Sequence, residues 1–250
     1  MKRHLLVAML FAAGLMMTAC ENNPKNNENP APKENGNKEN VVTPDQPKEI
    51  EKEEEEKVVE LSGIGEIKRV WANKTFEVEP GDITPGIEQY ALAFCKTYPQ
   101  YELNKVIADY LIDEEYDESM YEIVNDKKNG YLRCTWLVQF TNTTEVCFWN
   151  RKDGHQLVAA YMEANYENAP SENLVVFYDY DYANDIMTPE PALTKMIEER
   201  MQKYDDYSVV LPQQGKDIEV VGYVVDEAND TADRVELKLK WDGQTFSWEN

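Results

Sequence analysis

The residues able to do chemistry in this chain are few in kind, and most are carboxylates. Of 250 residues, 48 are Asp or Glu, 25 are Lys or Arg, and only His4 and His155 are histidine. So small a histidine count excludes multi-histidine metal centres and leaves any histidine-dependent triad resting on His155. His155 directly follows the turn dipeptide Asp153-Gly154, which predicts a water-exposed residue at a hairpin tip. The most site-like acids are Asp179, Asp181 and Glu190, in the run Asp179-Tyr180-Asp181-Tyr182-Ala183-Asn184-Asp185-Ile186-Met187-Thr188-Pro189-Glu190. Their oxygen atoms suit a hard cation such as calcium. Each acid also has a purely structural reading. Asn184-Asp185 suits a turn, Thr188-Pro189 suits the start of a helix, and Glu190 would then meet the positive end of the helix dipole.

That run resembles an EF-hand loop with pieces missing. Acids stand at loop positions 1 and 3, an aliphatic residue at 8 and Glu at 12, but Ala183 and Met187 occupy ligand positions and Asn184 replaces the turn glycine. The resemblance implies a calcium site at Asp179, Asp181 and Glu190. In the same stretch Tyr178, Tyr180 and Tyr182 alternate with Asp179 and Asp181, so in a strand the tyrosines share one face and the aspartates the other. Exposed, such a row is a platform for stacking a sugar or meeting a protein; covered by a helix, it is ordinary strand filling. No Gly-rich phosphate loop, HExxH or GxSxG is present. Of the cysteines, Cys95, Cys134 and Cys147 are expected to be buried and reduced, since free Cys behaves as a small core residue.

The fourth cysteine has a different context. Met1-Lys2-Arg3-His4 precedes an apolar run from Leu5 to Met17, then Thr18-Ala19-Cys20. A basic start, an apolar run of this length and small residues before a cut site make a secretory signal over residues 1–19. The run is short of the ~20 apolar residues of a membrane span. Met17-Thr18-Ala19-Cys20 resembles the bacterial lipobox, which implies a lipid on Cys20 and an exported protein anchored to a membrane, at the periplasmic face or cell surface of a Gram-negative bacterium. Residues 20–57 hold 11 acids, 6 lysines and no aromatic residue, the composition of an extended acidic spacer. Asp230-Thr231-Ala232 resembles the O-glycosylation sequon of some Gram-negative anaerobes, which implies a glycan on Thr231.

Residues 58–250 carry 26 of the 27 aromatic residues, with 37 acids against 17 bases, and form the folded domain. The elements that must position the candidate residues follow from periodicity. Ile87, Tyr90, Ala91, Phe94 and Cys95 make an amphipathic helix started by Thr84-Pro85, and Leu103, Val106, Ile107 and Tyr110 make another. Leu193, Met196, Ile197 and Met201 make a third, started by Thr188-Pro189. A short β segment is expected near 65–79. Longer strands are expected near 118–126, 131–140, 145–152, 155–164 and 173–181, then 216–225, 234–241 and 244–249. Asn129-Gly130, Asp153-Gly154 and Asp242-Gly243 each suit a two-residue hairpin turn. These turns would set Tyr121 opposite Val138, Cys147 opposite Ala160 and Leu239 opposite Phe246. Both faces of the Asp153-Gly154 hairpin are apolar, so it is expected to be covered on both sides. The class is α+β, with antiparallel β-meander sheets and helices packed on a face. Two stretches, 84–164 and 188–249, each read as helix followed by strands.

A formal charge of −23 excludes nucleic acid as a main partner, because phosphate binding needs a basic face. The leading functional expectation is a lipid-anchored envelope protein without chemistry of its own, binding a glycan or protein ligand or serving a structural role. The alternatives are a carboxylate-dependent glycan hydrolase, which needs no histidine, and an acidic inhibitor or sink for cationic host proteins.

Overall fold

The computed structural model describes residues 63–80, 84–138, 141–166, 171–226 and 231–249. The leader, Cys20 and the spacer lie outside the described residues. The described residues all fall within one compact unit. Helix α1 (Gly63–Val70) and a single 3-10 turn lead into the two-residue strand β1 (Phe76–Glu77). Helices α2 (Ile87–Thr97) and α3 (Glu102–Leu111) follow. Six strands come next: β2 (Tyr121–Asp126), β3 (Tyr131–Trp136), β4 (Asn142–Asn150), β5 (Gln156–Ala164), β6 (Glu172–Asp181) and β7 (Ile186–Pro189). Helix α4 (Pro191–Met201) precedes β8 (Asp206–Val210), β9 (Ile218–Asp226), β10 (Thr231–Trp241) and β11 (Phe246–Trp248).

All pairings are antiparallel. One sheet has seven strands in the order β1-β7-β6-β5-β4-β3-β2, the other four in the order β11-β10-β9-β8. The fold is therefore α+β, as its alternating strands and periodic helices require. The stretches 84–164 and 188–249 both consist of helix followed by a four-strand meander, and the two meanders lie in different sheets.

The central strands are apolar on both faces because both faces are packed. Val146, Val158, Ala160, Val176 and Tyr178 meet α1, α2 and α3 through Ile67, Tyr90, Phe94 and Ile107. The alternate residues Cys147, Trp149, Leu157, Tyr161 and Phe177 meet α4 and the second sheet through Leu193, Ile197, Val220, Leu239 and Phe246. Burying each large side chain in these two cores contributes about 1.5–3 kcal/mol before entropy is counted. The layers are thus three helices, the large sheet, and then α4 with the small sheet.

Several local expectations are corrected. Residues 63–73 are helical, and only Phe76–Glu77 form the strand expected near 65–79. Gly86, not Thr84, caps α2, with its N–H donated to Gln89 Oε1 at 2.9 Å. Thr188-Pro189 belongs to β7 rather than to a helix start, and Pro191 opens α4 instead. The expectations missed β7 and β8.

The three hairpins are longer than two residues, and the size of each error matters. Tyr121 pairs with Trp136 and Leu239 with Trp248, a slip of two residues that leaves every side chain on its expected face. The middle hairpin closes through the three residues 152–154, with Gly154 at φ 93 and the Arg151 N–H donated to the His155 carbonyl. Three-residue loops of this kind need a left-handed residue at their last position, which glycine supplies. Cys147 therefore pairs with Ala159 and Trp149 with Leu157, a slip of one residue that exchanges the faces of one strand relative to the other. Cover on both sides hides that exchange from the hydrophobic pattern.

Candidate functional site

The sheet end at the β4–β5 hairpin gathers most of the chemistry-bearing residues. Arg151 leaves β4 just past its last paired residue, and its side chain is 8 % exposed. Its guanidinium donates to three places at once: Nε to the Gln244 carbonyl at 3.0 Å, one terminal nitrogen to Asp179 at 2.5 Å, and the other to Glu190 at 2.5 Å. Asp179 points this way because it shares the strand face of Val175 and Phe177, opposite to the tyrosines. Glu190 reaches the same point from the residue that caps α4, its own N–H donated to the Phe177 carbonyl at 2.8 Å.

His155 stands on the other side of Asp179, with Nδ1 2.7 Å from Asp179 Oδ2 and its side chain 41 % exposed. It is the half-exposed hairpin residue its sequence position predicts, but it is tied to a carboxylate. That hydrogen bond, with the negative charges of Asp179, Asp153 and Asp181, raises its pKa above the ordinary value despite some desolvation. An imidazole oriented by a carboxylate is two-thirds of a nucleophilic triad. The thiols do not complete it: Cys95, Cys134 and Cys147 are all buried, and burial pushes each thiol up, that of Cys134 to about 12. The expectation of buried, unpaired cysteines agrees with the structure.

Of the three acids expected to hold calcium, Asp179, Asp181 and Glu190, the structure brings two together. Asp179 and Glu190 are brought together, around the Arg151 cation. Asp181 turns back on its own loop, accepting the Ala183 N–H at 2.8 Å and the Asn184 amide at 2.6 Å, and those bonds hold its carboxyl below the usual range. Among the described residues no group of three His, Cys, Asp or Glu side chains is arranged to hold a metal ion.

Of the tyrosine row, two of the three rings are covered. Tyr178 and Tyr180 are fully buried under α1 and α2, and Tyr182 alone is open, at 37 %. The Tyr178 hydroxyl donates to that of Tyr98 at 3.1 Å, and the Tyr180 hydroxyl donates to Asp185 at 2.6 Å. These are core rings with satisfied polar tips. Thr231 is exposed at the first position of β10. The preceding Asp230 lies outside the described residues.

A second polar centre escaped the sequence. Glu145 on β4 is 7 % exposed and faces the small sheet, where one carboxylate oxygen accepts the Leu211 N–H at 3.0 Å. Glu163 on β5 is its diagonal neighbour, because Glu145 pairs with Tyr161. Diagonal neighbours on one face of a sheet stand about 7 Å apart. Burial raises the pKa of both carboxyls, against the hydrogen bonds from Leu211 and Tyr131 to Glu145 and from Tyr161 and Asn165 to Glu163. Paired carboxyls with raised pKa values are the equipment of acid–base catalysis. The only sequence sign was a charged residue inside each of two strands that are otherwise apolar on both faces. Among the described residues an open cavity of about 410 Å³ lies between Lys68, Glu198, Tyr204 and Asp206, and another of about 150 Å³ lies beside Glu77, Gln89 and Lys96. Neither is lined by Glu145, Glu163 or His155.

Comparison with known proteins finds no match among family models, curated proteins or solved structures.

Two measurements test the Arg151 centre. Arg151→Met leaves Glu190 without its cation and Asp179 with His155 alone, and is expected to cost about 3 kcal/mol, the lower end for a broken buried pair because both carboxylates are partly exposed. A thermal melt should then fall by roughly 10 °C; an unchanged midpoint would show that the cluster is not structural. His155, followed by NMR against pH, should titrate above 6.5. Asp179→Asn should lower that midpoint. The stability that protonated His155 confers is complete below pH about 6.5 and is lost as pH rises through its folded pKa. A His155 midpoint unmoved by Asp179→Asn would contradict the geometry.

Proposed function

We propose that the chain is an exported, lipid-anchored envelope protein of a Gram-negative bacterium, held through a lipid on Cys20, that binds a glycan or protein ligand or serves a structural role and performs no chemistry itself. The lipobox-like Met17-Thr18-Ala19-Cys20 and the polar spacer behind it support the anchor. The observation that carries the non-enzymatic reading is the Arg151 centre. There a histidine, an arginine and two carboxylates converge, and their charges face one another across a junction of β4, β6, α4 and the terminal hairpin. A site built for turnover keeps such groups aimed at a substrate cavity; this one is aimed at the fold. The net negative charge favours a cationic partner where the partner is charged, which includes the role of sink for cationic host proteins. Glycan attachment at the exposed Thr231 belongs to the same picture of an exported domain.

The anchor has a direct test. Expressed in a Gram-negative host, the unaltered chain should fractionate with membranes and enter the detergent phase, whereas Cys20→Ala should appear in the soluble fraction or remain unprocessed. Equal partitioning of the two proteins would rule the lipid out.

A second reading rests on Glu145 and Glu163. Two neighbouring carboxyls of raised pKa are what a glycan hydrolase uses, one as acid and one as base or nucleophile. On that reading the unaltered protein cleaves at least one member of a panel of bacterial and host glycans. Glu145→Gln or Glu163→Gln then each reduces the rate by ~10²–10⁴-fold while the thermal midpoint holds. No cleavage by the unaltered protein returns the pair to a structural role.

A further inference from the structure

Among the described residues the large exposed hydrophobic side chains are Ile112, Leu137, Val138, Tyr182, Val210 and Val224. Single exposed apolar residues are ordinary on a folded surface. Leu137 and Val138 differ, because they are consecutive, 57 % and 42 % exposed, and stand in the connection between β3 and β4. Strand β3 ends at Trp136, and the Leu137 N–H donates to the Met120 carbonyl at 2.8 Å. The backbone is thus held at Leu137 while both side chains reach water. Connections between strands are ordinarily polar; this one starts apolar.

The tip also has a telling place in the fold. The described residues begin at Gly63, where a Cβ would lie 2.8 Å from the Gln100 carbonyl oxygen, so α1 starts against the corner between α2 and α3. In that corner the Tyr101 hydroxyl donates to the Glu163 carbonyl at 2.7 Å, at the end of β5. Beside it the Asn165 N–H donates to Asn142 Oδ1 at 2.7 Å, and the Asn165 amide to the Thr141 carbonyl at 2.6 Å, at the start of β4. The β3–β4 connection, the end of β5 and the entry of the chain at Gly63 therefore share one end of the large sheet. The β2–β3 and β4–β5 turns lie at the other end.

We infer that the Leu137–Val138 tip rests in the surface of the bilayer to which Cys20 anchors the chain. This contact presupposes the lipid anchor proposed above. Residues 20–62 join the anchor to Gly63. A flexible chain of that length has an r.m.s. span of about 36 Å and cannot exceed about 150 Å. A domain on such a tether meets the membrane at an effective concentration of about millimolar. Two half-exposed aliphatic side chains carry a partition factor of only about 10–100-fold. That factor is negligible from dilute solution, but it decides the orientation of a domain already held at the surface. The end that carries the entry of the chain reaches the lipid with the least stretching of the tether, and the tip is on that end. Charge selects the kind of surface. Asp117 and Glu118 are exposed just before Met120, so a zwitterionic lipid surface suits the tip and an anionic one repels it.

Fluorescence of the full chain, purified from host membranes and reconstituted into phosphatidylcholine vesicles, tests this contact. Cys95, Cys134 and Cys147 are buried, so a thiol-reactive fluorophore can be directed to Val138→Cys. The control is Lys128→Cys, exposed in the β2–β3 turn at the opposite end. A spin-labelled lipid should quench the fluorophore at 138 several-fold more than the one at 128. Adding Leu137→Asp, a change at an exposed position that leaves the thermal midpoint unaltered, should remove most of that difference. Phosphatidylglycerol in the vesicles should reduce it. Equal quenching at the two positions, or quenching indifferent to Leu137→Asp, would overturn the inference. So would a vesicle-bound chain whose fluorophore at 138 escapes quenching, since the anchor would then hold without the contact; blue-shifted emission in that case assigns the tip to a second copy of the chain. A chain that does not float with the vesicles refutes the anchor itself and takes the contact with it.

Discussion

Arg151 is nearly buried, and a buried cation must be met by charge and hydrogen bonds or it unfolds its surroundings. Three separated parts of the chain meet it: Asp179 near the end of β6, Glu190 at the cap of α4 and the Gln244 carbonyl in the last hairpin. The neighbouring residues repeat the pattern. The Lys152 N–H donates to the Gly243 carbonyl at 3.0 Å, and the Gln244 amide donates to Asp153. Through these contacts the β4–β5 hairpin of the large sheet clamps the last hairpin of the small one. Elsewhere the two sheets meet through apolar packing around Trp149, Phe177 and Phe246 and through further hydrogen bonds, from the Leu211 N–H to Glu145, from the Trp149 indole N–H to the Lys216 carbonyl and from the Asn173 amide to the Tyr207 carbonyl. Directional bonds along the interface therefore register its apolar packing.

That arrangement explains why the acids of 179–190 look like a cation loop. Two of them, Asp179 and Glu190, do meet a cation, but it is part of the protein and arrives from 28 residues upstream of Asp179. Carboxylates at a spacing suited to calcium and carboxylates at a spacing suited to an arginine fork are the same letters in a sequence, because both cations take oxygen ligands. The tyrosine row shows a similar ambiguity. Tyr178 and Tyr180 alternate as a sugar platform would, and only the presence of helices over that face makes them core.

Much of the architecture was legible. The α2, α3 and α4 faces, the antiparallel order and most strand positions follow from periods of 3.6 and 2, since each element must bury one stripe or face. Among the hairpins, what failed was the parity of the β4–β5 turn, the one of the three whose slip was odd. In the outer hairpins a polar face and an apolar face constrain the pairing, so the errors were even and harmless. Where Val146, Cys147, Phe148 and Trp149 are apolar in sequence, parity carries no information, and the φ of Gly154 decides it. Glu145 and Glu163 were hidden for the opposite reason. They are two acids among 37 in the domain, and burial, which no sequence prints, is what distinguishes them.

By itself the sequence determined the class of the fold and the acid-rich character of the domain, along with the signal-like and lipobox-like start that makes export and anchoring the working expectation. These are properties of composition and local spacing, and they survive errors of a residue or two. Only the tertiary structure decided which carboxylates are neutralised, which are buried and which tyrosines see water. Each depends on a contact between residues far apart in the chain, Arg151 with Asp179, Glu190 and Gln244 above all. An electrostatic field or a desolvation energy is set by distance in space and not by position in sequence.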